Sequence, residues 1–186
     1  AGSLGLDTAA AGRLLAFWAA LHDMGKASPA FQRKVKSLED ALTAAGLSCP
    51  RLFSNENAPH GIISTRALGP LLQSETGMAA RPARRIAAAL GGHHGAWPPA
   101  RAAERVHEDQ YGGAEWEQVR RDLFTAIVAA LQPPHLATWF TARADENRFL
   151  TLFSGFVSVA DWIGSMAQYF PYASLPPDLA EYAEQT

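Results

Sequence analysis

The chain has 186 residues, 48% hydrophobic and 18% charged, proportions that exclude an intrinsically disordered chain and predict one globular domain. The net charge of −2 gives no overall basic signature of nucleic-acid binding, so any polyanion must be held by local Arg and Lys groups and by metal ions. The single cysteine, Cys49, excludes an internal disulfide. The sequence shows no signal peptide and no apolar run of membrane-spanning length, so we expect a cytoplasmic protein without a membrane partner.

The first predicted helix leads into a His-Asp pair. Asp7 or Thr8 can cap this helix, and its apolar residues recur at spacings of three and four. Neighbouring residues on a regular helix point about 100° apart. His22 and Asp23 therefore converge on one ion more easily where the helix ends, and Gly25 is predicted to supply that end.

The remaining periodic segments and turn formers predict further elements in order. Helices are predicted over residues 28–46, 59–73, 81–90, 116–127 and 145–169, with a loop over 49–59 and a weakly patterned stretch over 101–111. No segment alternates as β-strands do, so we expect an all-α fold, a single helical domain over residues 1–170. Residues 171–186 contain three prolines and are expected to form a tail or linker.

Side chains of metal-ligand type recur at predicted helix ends and glycine turns, from which distant segments can converge. Imidazoles and carboxylates together suit a divalent transition metal, and an aspartate can bridge two ions with its two oxygens. Asp161 differs because it lies within an apolar segment, where a buried carboxylate is costly unless it is paired or coordinated. The candidate ligands are His22, Asp23, His60, His93, His94 and Asp161.

Each candidate also has an ordinary explanation. A single histidine such as His60 is more often a hydrogen-bonded structural residue, Asp161 could pair with a core arginine, and a double histidine in a glycine turn is often a solvated loop. The joint arrangement favours a metal site, because four of the six histidines fall in suitable segments. His107 and His135 lack acidic or glycine context, and we interpret both as surface residues.

The order of these motifs resembles the HD superfamily of metal-dependent phosphohydrolases. It is most similar to the HD nuclease domain of the CRISPR-associated nuclease–helicase of type I systems. The resemblance covers residues 4–172 approximately and is specific, because the His-Asp-x-Gly-Lys segment and the paired histidines occur together in order. The segments that carry it are residues 21–32 (LHDMGKASPAFQ), His60-Gly61 with Ser64, Gly92-His93-His94-Gly95, and Ala160-Asp161-Trp162 with Ser165.

The resemblance implies two adjacent divalent metal ions bridged by Asp23. One ion would be held by His60, His93 and His94, and the other by His22 and Asp161. An imidazole-rich site suits manganese, iron, cobalt or nickel better than magnesium. Asp23 and Lys26 would be catalytic, the lysine adding positive charge against phosphate oxygens. Ser64 and Ser165 each follow a proposed ligand by one helical turn and could contact substrate, support a ligand or simply pack.

The sequence departs from the family pattern in one respect. The family places a separate histidine well upstream of the His-Asp pair, and no histidine precedes His22. We expect either that the chain begins after that histidine or that this ligand is lost. A Gly-x-x-x-x-Gly-Lys-Ser/Thr motif is also missing, so the ATP-dependent helicase of the family would lie beyond residues 171–186 or on another chain.

Three functions remain open from the sequence. The favoured one is a metal-dependent nuclease that cuts single-stranded DNA in CRISPR interference, with a helicase and a CRISPR effector complex as partners. The second is an HD phosphohydrolase acting on a nucleotide or cyclic dinucleotide, and the third is a non-catalytic interaction domain with degenerate motifs. Basic residues could flank a DNA path or form ordinary solvated helix faces. They are Arg33, Lys34, Lys36, Arg81, Arg84 and Arg85.

Overall fold

The computed structural model describes residues 6–50, 58–134 and 147–170, and these ranges contain helices and no strand. The predicted all-α fold is therefore confirmed. The predicted tail over 171–186, the start of the last helix at Asp145 and the surface position of His135 lie outside the described residues. The helices are α1 (Thr8–Ala20), α2 (Pro29–Gln32), α3 (Lys36–Ala44), α4 (His60–Thr76), α5 (Ala80–Gly91), α6 (Ala100–Glu104), α7 (Glu108–Tyr111), α8 (Ala114–Leu131) and α9 (Asn147–Gly164), with a 3-10 helix over Met24–Lys26.

Helix α1 begins at its predicted cap and buries its predicted apolar stripe except for Leu15, which is 37% exposed. The Asp7 side chain accepts a hydrogen bond of 2.7 Å from the backbone N–H of Ala10, which satisfies a donor that the first helical turn leaves free. Leu14, Phe17 and Trp18 are buried on one face. The two aromatic rings meet edge to face, with centroids 5.1 Å apart. Burial of this face fixes the direction in which α1 delivers the His-Asp pair.

Helices α4 and α5 pack closely at the centre of the domain. A Cβ atom built on Gly61 would collide with the backbone carbonyl of Gly91, and one on Gly91 would collide with Gly61 in return. The two helices therefore cross where neither has a side chain, which lets their backbones approach closely. Ile63 and Ile86 are fully buried beside this crossing. The crossing sets the distance between the start of α4 and the turn after α5.

The segment predicted as one helix over residues 28–46 is two helices, α2 and α3, and the prediction was wrong in this respect. Val35 is extended between them, with φ at −120°. Its side chain and that of Leu38 are about half exposed, and α3 buries no residue. An isolated helix gains most of its stability from packing an apolar face. Without such packing, the periodic pattern does not hold one continuous helix.

Three further boundaries differ from the predictions. Helix α1 ends at Ala20, and Gly25 lies inside the following 3-10 helix instead of ending α1. The weakly patterned stretch over 101–111 contains α6 and α7, and α9 ends at Gly164, before Tyr169. Within the described ranges, no helix is long and apolar enough to cross a membrane.

Candidate metal centre

Side chains from four parts of the fold meet at one place. They come from the turn between α1 and the 3-10 helix, the first residue of α4, the turn after α5 and the last turn of α9. Helix caps and turns lie close together here because α4 packs on both α5 and the 3-10 helix. The structure brings together all six candidate ligands, His22, Asp23, His60, His93, His94 and Asp161.

Three imidazoles form the first group. The Nε2 atom of His60 lies 3.2 Å from Nε2 of His93 and 3.0 Å from Nε2 of His94. Metal–nitrogen bonds of about 2.1 Å place two ligands on one ion roughly 3.0–3.4 Å apart in octahedral or tetrahedral geometry. The spacing of these nitrogen atoms therefore fits the ligand set of a single ion.

The second group joins residues far apart in sequence. The Nε2 atom of His22 lies 3.3 Å from Oδ1 of Asp161, and a nitrogen of His93 completes a set whose donor atoms all lie within 4.8 Å of one another. His93 thus borders both groups, whereas the family pattern assigns it to the first. Both His22 and Asp161 are mostly buried, with side chains 14% and 17% exposed.

Asp23 lies between the two groups. Its Oδ1 atom is 3.2 Å from Nε2 of His60, and its Oδ2 atom is 3.2 Å from Nε2 of His22. Oδ1 is buried and receives no hydrogen bond of good geometry. A buried carboxylate oxygen without a donor is costly. A metal ion would satisfy it, so the residues present fit a divalent ion at this carboxylate.

Bonds on the far side of two rings prepare them to bind a metal ion. The Nδ1 atoms of His22 and His93 lie 2.5 Å from the carbonyl of Ala19 and 2.7 Å from that of Leu90. In a neutral ring such as His93, an Nδ1–H that donates to a carbonyl leaves Nε2 unprotonated and directed at the site. Burial lowers the pKa of His93 to about 4, so this ring is neutral near neutral pH and can bind an ion.

The carboxylate of Asp23 is ionised by its surroundings. Burial by itself raises its pKa, but the contacts with His22, His60 and Lys26 together outweigh burial and hold the pKa far below its usual range. The same contact acts on His22: burial lowers its pKa, and the bond to Asp23 more than offsets that effect and raises it. The Asp23 carboxylate is therefore ionised and able to bind a cation.

Ser64 and Gly25 fasten the His-Asp turn to α4. The Ser64 hydroxyl donates to the carbonyl of His22 at 2.7 Å and accepts from the N–H of Gly25 at 2.8 Å. Ser64 is fully buried, so it has no surface for a substrate and the predicted substrate contact does not fit its position. A Cβ atom on Gly25 would collide with the backbone of His60 and Ser64. Gly25 thus allows the close approach of two segments.

Arg120 is a buried residue of this region that the sequence reasoning missed. Its Nη1 atom donates to the carbonyl of Ala27 at 2.9 Å and to that of Tyr111 at 3.0 Å, and only 2% of the residue is exposed. The guanidinium lies 3.9 Å from the centroid of the Tyr111 ring, where cation–π attraction adds to the hydrogen bonds. The sequence held a signal for its burial: Arg120 is spaced four residues from both Trp116 and Phe124, and these three residues form the buried stripe of α8.

The other predicted residues lie on or near the open side of the centre. The Lys26 ammonium is 2.5 Å from Oδ2 of Asp23, and its side chain is 41% exposed. Ser165 is exposed, one turn after Asp161. The Lys36 ammonium lies at the surface, 2.8 Å from the Asp40 carboxylate, which agrees with the interpretation of this lysine as part of a solvated helix face. His107 is exposed, as predicted, and caps α7.

An all-helical domain with a histidine- and aspartate-rich centre, organised around a His-Asp pair, is a protein of HD type. The family described as "Cas3, HD domain" matches residues 1–170. The chain belongs to this family.

Individual relatives agree with the family. The CRISPR-associated endonuclease/helicase Cas3 of Thermus thermophilus is 34% identical in an alignment 166 residues long, which covers 86% of this chain and 17% of that protein. A crystal structure of a CRISPR-associated protein is 36% identical, with a TM-score of 0.83 over 99% of this chain and 20% of the other. The Thermus thermophilus Cas3 HD domain, crystallised in the presence of Ni²⁺, is 26% identical, with a TM-score of 0.66 over 98% of this chain and 69% of that chain. The chain thus spans about a fifth of its full-length relatives.

Proposed function

We propose that this chain is a metal-dependent nuclease domain that hydrolyses phosphodiester bonds of single-stranded DNA in CRISPR antiviral defence. The observation that carries the proposal is the position of Asp23, whose two carboxylate oxygens face two groups of ligand atoms that share His93. This is the arrangement that a pair of bridged ions requires. The Thermus thermophilus relative, named an endonuclease/helicase, supports the same activity.

The candidate ligands divide into two sets. His60, His93 and His94 would hold one ion, His22 and Asp161 the other, with Asp23 between them. Bound divalent ions would supply Lewis-acid polarisation of the scissile phosphate and an activated water. Four imidazoles favour manganese, iron, cobalt or nickel over magnesium. The related Thermus thermophilus domain was crystallised in the presence of Ni²⁺.

The protein's own side chains would receive and orient the phosphate. Lys26, His94 and one edge of Asp23 reach solvent, so a substrate approaches from their side. The Lys26 ammonium would exchange its contact with Asp23 for a phosphate oxygen, and its charge would offset the charge that develops there. Ser165, exposed one turn after Asp161, would contact the strand. Helices around the centre favour a flexible strand over a rigid duplex.

A helicase is the proposed partner. The relative whose name includes a helicase is about six times longer than the matched segment, since that segment is 17% of it. We place the helicase in the same chain beyond the linker proposed for residues 171–186, or on another chain, and a CRISPR effector complex would recruit the assembly. In this arrangement the helicase supplies the single strand that the centre cuts.

The test compares substrates on one preparation. The 186-residue chain is supplied with Mn²⁺, Co²⁺, Ni²⁺ or Mg²⁺ and given a labelled single strand, the matching duplex, and a panel of nucleotides and cyclic dinucleotides. We expect the single strand to be cut fastest, and with a transition metal. Faster hydrolysis of the nucleotides would instead indicate a nucleotide phosphohydrolase. No hydrolysis of any substrate with any ion would indicate a non-catalytic domain.

A further inference from the structure

An aromatic side chain lies beside the metal centre without belonging to the apolar core. Phe31, on α2, is partly exposed and is absent from the buried cluster and from the apolar residues packed against it. Its ring centroid is 5.6 Å from that of His60, edge to face. The ring therefore borders the three-imidazole group and is itself partly open to solvent.

Two ammonium groups flank this ring. The Nζ atom of Lys34 lies 4.5 Å from the ring centroid, and that of Lys26 lies 5.6 Å from it. Lys26 also contacts Asp23, so the ring and the metal centre share one lysine. Proteins that bind single-stranded nucleic acid combine these two elements, an aromatic face for a base and cations for the backbone.

We propose that Phe31 and Lys34 form a stacking subsite for the base of a nucleotide next to the scissile phosphate. The proposal rests on the proposed function and adds how the strand is held. Lys34 is exposed, and an exposed cation–π contact is weaker than the stacking of a base on an aromatic ring. An arriving base can therefore displace the ammonium, which then pairs with a neighbouring phosphate.

The subsite gives the centre a preference for unpaired strands without a preference for sequence. A base can stack on Phe31 only when it has left its neighbours in a duplex, and every base has a π-face. No hydrogen-bonding group needs to recognise base edges. Substrate selection would thus depend on the flexibility of the strand and not on its sequence.

The experiment compares a single-stranded oligonucleotide with an abasic strand of the same length and phosphate charge. Binding is measured by fluorescence anisotropy with Ni²⁺ present, and cleavage as kcat/KM. We expect the unaltered chain to favour the base-bearing strand by roughly 10-fold, since stacking of one base has about this effect. Phe31→Leu should reduce this ratio toward one, and Phe31→Trp should restore it.

Two controls separate the subsite from the metal centre. Calorimetric titration with Ni²⁺ should give the same affinity for Phe31→Leu as for the unaltered chain, because Phe31 offers no ligand atom. Lys34→Gln should lower the salt dependence of DNA binding by about one phosphate contact. Lys36→Gln replaces a lysine already paired with Asp40 and should leave the salt dependence of DNA binding unchanged.

Each result decides between distinct possibilities. An equal loss on both strands in Phe31→Leu would show a merely structural role and overturn the subsite. Cleavage of both strands at one rate by the unaltered chain would also overturn it, while the nuclease function stands. Preferential binding of the base-bearing strand without cleavage would support the subsite and reject the nuclease. Binding of neither strand would overturn both.

Discussion

Individual side chains in the metal centre are fixed by contacts on the side away from the site. The rings of His22 and His93 are oriented by backbone carbonyls at the end of α1 and α5. Such bonds hold the ring plane and the tautomer, and their loss commonly lowers metal affinity by roughly 10–100-fold. Asp23 has a different role, because its charge lies between the two groups and acts on both.

The first prediction concerns this carboxylate. Asp23→Asn keeps the size of the side chain but removes its charge and one acceptor oxygen, so the two proposed ions lose their shared anionic bridge and keep at most one neutral amide oxygen. We expect hydrolysis to fall by roughly 1,000-fold or more, as for other groups that stabilise the transition state directly. Circular dichroism should show an unchanged helical content. Asp40→Asn, on exposed α3, is the matched control and should retain full activity. Normal cutting by Asp23→Asn would rule out a bridged pair of ions.

At the scale of elements, the site depends on how closely backbone segments approach. The 3-10 helix reaches α4 at Gly25, and α4 reaches α5 at Gly61 and Gly91. These approaches bring the His-Asp turn, the start of α4 and the turn after α5 within reach of one ion. Ser64 then joins the first two by hydrogen bonds.

The second prediction compares two glycines. Gly25→Ala places a methyl group against the backbone of His60 and Ser64, so the segments must separate. We expect a loss of about 1–3 kcal/mol or more in the free energy of unfolding, the usual cost of overpacking. Gly12→Ala is the control, because a Cβ there meets nothing within 4 Å. In the interior of α1 it should stabilise by about 0.5–1 kcal/mol. Equal effects of the two changes in urea unfolding would contradict the close approach.

The third prediction concerns the hydroxyl of Ser64. Ser64→Ala leaves the carbonyl of His22 and the N–H of Gly25 without their buried partner. Removing one partner of a buried hydrogen bond costs about 1–3 kcal/mol, and we expect metal affinity to fall roughly 10-fold. Ser74→Ala, exposed near the end of the same helix, should change neither quantity. Thermal unfolding and calorimetric metal titration measure the two effects. A variant that lost DNA affinity but kept metal affinity would restore Ser64 as a substrate contact.

Local signals made much of this site predictable from the sequence. Ligand-type side chains at His22, His60 and His93 lie beside helix ends and glycines, and both features are readable within a few residues. The role of Gly25 was not readable, because it depends on packing against a segment that begins 35 residues later. The break before Val35 was missed for a similar reason: its apolar pattern finds no core to pack against. The role of Gly25 and the break at Val35 both depend on tertiary contacts, which the periodicity of the sequence does not encode.

At the scale of the whole molecule, the metal centre joins the two ends of the described chain. Asp161, in the last turn of α9, meets His22, which follows α1, across 139 residues of sequence. The core already unites these helices through Trp18 and Phe153, whose rings meet edge to face. A bound ion would add a second connection at the surface end of the same pair, so metal binding should stabilise the fold as a whole.

The last prediction follows from that connection. An ion that binds the folded chain only, at 100 times its dissociation constant, stabilises it by about 2.7 kcal/mol. For a domain of this size, 1 kcal/mol shifts Tm by roughly 2–4 °C, so Ni²⁺ should raise Tm by about 5–10 °C, and a chelator should reverse the rise. Asp161→Ala removes the α9 ligand and should lose a large part of this gain, whereas Asp40→Asn should keep all of it. Scanning calorimetry with and without Ni²⁺ measures each Tm. A full gain in Asp161→Ala would place the stabilising ion in the His60, His93 and His94 group alone and remove α9 from the metal centre.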